Sequence, residues 1–134
     1  MTRTPLVRPR ILGLVVAGGV VGVALRELVL LPFASGASVT LATLAVNVVG
    51  SFLLGVVVAA LGDRHPLWRS FAGTGALGGF TTYSAFAVQA AVAGSTAPWV
   101  GILLAVAAVL AGLAAAAGGI ALAHRLRDAA GRSR

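Results

Sequence analysis

Hydroxyls, an amide and two aromatic rings gather where this otherwise aliphatic chain has least reason to hold them. From residue 73 the order is Gly73-Thr74-Gly75-Ala76-Leu77-Gly78-Gly79-Phe80-Thr81-Thr82-Tyr83-Ser84-Ala85-Phe86. Gly73, Gly75, Gly78 and Gly79 weaken a helix, each by roughly 1 kcal/mol against alanine. Thr81, Thr82 and Ser84 then offer hydroxyls, with the Tyr83 phenol among them. In hydrocarbon a freed backbone N–H or C=O must find a partner, so an interrupted helix survives only inside protein or beside a polar cavity. The ends of such half-helices are ion sites: N–H groups favour anions and open carbonyls coordinate cations. On these residues alone, a glycine-rich packing face with hydroxyls bonded back to their own helix accounts for the stretch equally well.

Two further polar groups lie deep in apolar sequence. Asn47, in Asn47-Val48-Val49-Gly50-Ser51-Phe52-Leu53-Leu54-Gly55, is costly at mid-membrane without partners. It reads either as interhelical glue worth about 1 kcal/mol or as the lining of a water-filled path. Arg26 and Glu27 read either as interfacial charges reaching the headgroups or as a vestibule that concentrates an anion. His65 and His124 have no carboxylate or second histidine at ligand spacing, so no metal site or proton relay is expected of them. The sequence holds no nucleophile–base pair, carboxylate dyad or cysteine, and enzymatic chemistry is not expected.

The elements that must position these groups are membrane helices. Of 134 residues, 59% are hydrophobic and 10% charged, a balance no soluble domain of this size can bury. One membrane domain over residues 1–134 is expected, all-α, with four spans near residues 11–31, 38–61, 67–93 and 99–123 between basic tails. Each is close to the ~20 residues that cross a bilayer. The third is expected to be broken at Gly78-Gly79. A cleaved signal peptide is the competing reading of the basic start, but the first apolar run is too long for one. Gly18 and Gly22, and Ser51 and Gly55, have the spacing of close helix contacts. Tyr83 and Phe86 are three apart and share a helical face, with Gln89 three further on.

The formal charge of +7 comes from arginine, since the chain has no lysine. Four spans place both termini on one side, together with Arg3, Arg8, Arg10, Arg64, Arg69, Arg125, Arg127, Arg132 and Arg134; the other side has only Arg26. The positive-inside rule then puts both termini in the cytoplasm of a multi-pass plasma-membrane protein. Arginines distributed this way suit orientation, and no nucleic-acid partner is expected.

These features together resemble the Fluc (CrcB) family of fluoride channels, also called fluoride exporters. The resemblance rests on Gly18-Gly19 with Arg26, on the Asn47-x-x-Gly50-Ser51-Phe52-Leu53-Leu54-Gly55 run, on Gly78-Gly79-Phe80-Thr81-Thr82-Tyr83-Ser84-Ala85-Phe86, and on four spans in a short chain. It implies an antiparallel, dual-topology type of dimer with fluoride pathways at the interface and passive outward flow that lowers cellular fluoride. It implies a structural Na+ at the break, held by main-chain carbonyls of Gly78 and Thr81. It places Asn47, Tyr83 and Phe86 in the fluoride pathway and Arg26 at the vestibule; Thr82 and Ser84 are further candidate donors for a dehydrating anion.

The chain departs from the family pattern at Tyr83, where phenylalanine is usual, at Ala85 for threonine and at Gln89 for an acid. Its last span lacks hydroxyls. A homodimer of opposed subunits needs balanced loop charge, so the arginine asymmetry favours an oppositely oriented homologue as partner. Two other classes fit the sequence less well. A small proton-coupled drug exporter needs a mid-span carboxylate, and Glu27 sits near a span's end. A non-conducting membrane scaffold would have no use for the polar third span.

Overall fold

The computed structural model describes residues 8–33, 36–95 and 97–132. Arg3 and Arg134 of the basic tails lie outside the described residues. Among the described residues every element is helical. Helix α1 (Pro9–Leu30) begins on a proline, whose missing N–H costs nothing in a first turn. Helix α2 (Gly36–Leu61) ends at Gly62, which takes the left-handed conformation, φ 49°, that closes many helices. A short α3 (Pro66–Arg69) runs into a π-helical stretch (Ser70–Leu77) and then α4 (Gly78–Phe80). Thr81 and Thr82 are extended, with ψ of 151° and 115°. Helix α5 (Tyr83–Gly94) follows, and α6 (Pro98–Arg132) completes the chain.

Three of these, α1, α2 and α6, are long and apolar enough to cross a membrane. The segment expected as the third span is divided at Thr81-Thr82, not at Gly78-Gly79 as the sequence suggested. Glycine lowers helix propensity without removing a hydrogen bond, and the ladder continues through Gly78–Phe80 until side chains capture it. Helix α6 also continues past the expected end at residue 123, because Ala, Leu and Arg are good helix formers. At 1.5 Å per residue it is about 52 Å long against roughly 30 Å of hydrocarbon, so its arginine-bearing end stands clear of the core.

Two packing seams hold the fold, α1 against the π-helical stretch and α2 against α6. Both depend on bare backbone. A Cβ on Gly22 would run into the Ala76 carbonyl, and one on Gly119 into the Phe52 carbonyl. The interior is correspondingly thin: Ala42, Val46, Phe86, Ala90 and Ala123, with the polar Thr43 and Thr82 among them. Large apolar side chains such as Val20, Leu28, Ile102 and Leu103 face outward instead. That inversion suits a bilayer as solvent and makes this a multi-pass membrane protein.

Candidate functional site

The break is built by side chains that take over backbone bonds. Asn47, on α2, grips both polar groups of Thr82: its Oδ1 accepts from the Thr82 N–H at 2.8 Å, and its Nδ2 donates to the Thr82 carbonyl at 2.9 Å. One turn on, Gly50 makes room, since a Cβ there would strike the Thr81 methyl. The spacing Asn47-x-x-Gly50 thus sets a clamp and a slot on one face of α2. Thr82 then caps α5, its Oγ1 accepting from the Ala85 N–H at 3.3 Å. The Thr81 Oγ1 donates back to the Leu77 carbonyl at 3.0 Å, beside the Thr81 N–H bond to the same oxygen.

These captures release particular carbonyls. In an unbroken helix the Thr82 N–H would donate to Gly78 and the Ala85 N–H to Thr81. Here the first goes to Asn47 and the second to the Thr82 hydroxyl. Gly78 and Thr81 therefore lose their helical donors, and they are the two residues the resemblance assigns to Na+. Hard cations take oxygen ligands of this kind, so the donor chemistry fits. The Gly79 carbonyl is satisfied differently: Arg26 Nη1 donates to it at 3.1 Å while Nη2 pairs with Glu27 Oε1 at 3.0 Å. A guanidinium there opposes the negative end of the half-helix.

The predicted site residues other than Gly78 fall into two recesses. Asn47, Thr81, Tyr83 and Phe86 line one of about 380 Å³, walled on α6 by Ala108, Val109, Gly112, Leu113 and Ala116. Arg26, Thr82 and Ser84 line another of about 680 Å³. Phe86 is buried at 4% exposure while Tyr83 is 77% exposed, so the shared face presents one ring inside and one at the rim. The α6 wall carries no hydroxyl, in keeping with the sequence of the last span.

Three polar residues escaped the sequence reading as site members. Gln89 does not extend the Tyr83–Phe86 stripe; it lies in the second recess, where its Nε2 donates to Thr43 Oγ1 at 3.2 Å. Its buried Oε1 has no partner among the described residues. Thr43 is fully buried and donates to the Val39 carbonyl at 2.7 Å. Ser51 lines the first recess. A signal for two of them was present: Thr43, Asn47 and Ser51 recur every four residues along one face of an aliphatic helix.

The sequence also matches known proteins. A family model described as "CrcB-like protein, Camphor Resistance (CrcB)" matches residues 13–120. The chain is 43% identical over 118 residues to "Fluoride-specific ion channel FluC 2" of Leifsonia xyli subsp. xyli, covering 81% of this chain and 80% of that one. It is 46% identical over 92 residues to "Fluoride-specific ion channel FluC 1" of the same organism, covering 65% and 64%. A "Fluoride-specific ion channel FluC" from Caulobacter vibrioides (strain NA1000 / CB15N) is 39% identical over 114 residues, covering 75% and 90%.

Proposed function

The chain belongs to the CrcB-like family, and from that premise we propose that it is one subunit of a fluoride-selective channel. It is a channel protein rather than an enzyme. Fluoride flows passively outward across the plasma membrane, which lowers its cellular level and toxicity. The observation that carries the reading is the diversion of two helical donors at Thr81-Thr82, which leaves the Gly78 and Thr81 carbonyls open.

Those two carbonyls would hold a structural Na+, with the same pair from an opposed subunit. Such an ion supplies fixed positive charge between half-helix ends that otherwise repel. Asn47 uses its Oδ1 and one N–H on Thr82, and its second N–H is the donor offered to the anion. Phe86 and Tyr83 present ring edges, the positive end of the aromatic quadrupole. Thr82 and Ser84 add hydroxyls within 3.4 Å of one another. Several donors in a narrow path replace the water that fluoride holds tightly. Arg26 lines the wider recess and raises anion concentration at its mouth.

Both termini face the cytoplasm, and an oppositely inserted homologue completes the dimer. Nine arginines against one support a fixed orientation, and one organism carries two FluC relatives, so two non-identical subunits can be available in one cell. The test is fluoride efflux from liposomes containing this chain alone and then with a candidate partner. Efflux that Asn47→Asp and Phe86→Ile abolish is expected. Efflux indifferent to both would remove the pore assignment, and equal passage of chloride would move it to another channel class.

A further inference from the structure

Away from both recesses of the site, a third opens at the arginine-rich end of the bundle. It measures about 550 Å³ and is lined by Arg10, Gly13 and Leu14 of α1 with Leu67, Trp68 and Phe71 opposite. Its wall is hydrocarbon except at the mouth. The Trp68 ring stands edge-on to Phe71, with centroids 6.2 Å apart and planes at 89°. Gly13 supplies the floor, and nothing lies within 4 Å of a Cβ built there. Gly18 and Gly22 on the same helix are bare because the neighbouring backbone fills their space; Gly13 is bare over an open slot.

The mouth is cationic and uncompensated. Among the described residues Arg10 makes no hydrogen bond or ion pair. The chain has three acids, and two of them, Glu27 and Asp63, are paired with Arg26 and Arg69. Trp68 is 63% exposed beside this charge. An indole with an apolar body and a polar N–H favours the headgroup level of a bilayer.

We propose that this recess binds one anionic phospholipid, its phosphate on Arg10, one acyl chain in the slot over Gly13, and its glycerol region beside Trp68. Free phosphate would leave the hydrocarbon wall uncovered. A zwitterionic lipid would cover the wall but bring an ammonium toward Arg10. An anionic lipid satisfies both halves of the recess. It is also the lipid that a surface of arginines draws to itself, at about a fivefold gain in affinity per charge.

The test uses the full chain in liposomes with Trp99→Phe, so that Trp68 is the single tryptophan. Its emission is quenched with dibrominated phosphatidylglycerol or dibrominated phosphatidylcholine at low mole fraction in a zwitterionic bilayer. The expected result is quenching at about fivefold less phosphatidylglycerol than phosphatidylcholine. That preference should fall to near one in Arg10→Gln, persist in Arg10→Lys, and disappear with the quenching itself in Gly13→Leu, which fills the slot without striking packed backbone. Equal quenching by both lipids, or a preference that survives Arg10→Gln and Gly13→Leu, overturns the proposal. So does a Trp68 that neither lipid reaches because a second protein copy covers it.

Discussion

Replacing Asn47 by alanine should damage the fold of the break as well as any flow through it. The side chain makes two bonds, 2.8 and 2.9 Å long, to the N–H and C=O of one residue. Removing it strands the Thr82 N–H beside an apolar wall, while the Thr82 carbonyl, at the N-cap of α5, loses one bond and keeps the one from the first turn of that helix. Orphaned polar groups cost about 1–3 kcal/mol each, whereas interhelical bonds measured in membrane proteins average about 0.6. The sum therefore lies between about 1 and 4 kcal/mol, nearer the upper figure if no water enters. Asn47→Asp keeps an acceptor for the Thr82 N–H but turns a second oxygen toward the Thr82 carbonyl, so it should lose at least as much. Reversible unfolding in mixed detergent micelles, followed by circular dichroism, measures both variants. If Asn47→Ala lowers stability by less than about 0.5 kcal/mol, Asn47 is not what holds the interruption open, and the account of the released Gly78 and Thr81 carbonyls fails with it.

Further outcomes follow from the same geometry. Gly22→Ala, whose new Cβ meets the rigid Ala76 carbonyl, should destabilise by about 1–3 kcal/mol, while Gly19→Ala, with open space there, should be neutral or gain up to about 1 in the same unfolding assay. Arg26→Gln should slow fluoride entry several-fold in dilute buffer, the difference shrinking as salt shortens the screening length from about 10 Å at 0.1 M to about 3 Å at 1 M; an effect independent of ionic strength would assign Arg26 to the Gly79 carbonyl alone. Tyr83→Phe should leave subunit stability within about 0.5 kcal/mol, because the ring is 77% exposed, so a change in efflux would report on the pathway itself. Exchange of Na+ for a bulky organic cation should weaken subunit association, read by size-exclusion chromatography; association untouched by that exchange would count against the cation.

The helical class was legible because composition left no alternative, and the pathway candidates were legible because polar groups are rare here and therefore conspicuous. The position of the break was read three residues early. Propensity marks where a helix is weak, but Gly78 and Gly79 stay helical. The interruption falls where Thr81, Thr82 and Asn47 compete for the backbone, and one of those competitors is 35 residues distant in sequence. Thr43 was missed for a simpler reason: a threonine in an apolar helix usually bonds to its own preceding turn, as Thr43 also does with Val39. Its second bond, to Gln89, needs a contact across 46 residues that no local pattern encodes. The π-helical winding of Ser70–Leu77 has no signature beyond its glycines.

That winding fixes the azimuth of everything after it. A π-helix holds one more residue per closed ring than an α-helix, as where the Gly78 N–H reaches back five residues to Gly73. Deleting a single residue from Ser70–Leu77 while the wide turns persist would step Thr81-Thr82 back by roughly a quarter-turn around the helix axis. Thr82 would then point away from Asn47 with its own chemistry unaltered. The segment works as a dial: its residue count, more than the identity of any member, decides whether clamp and threonine meet.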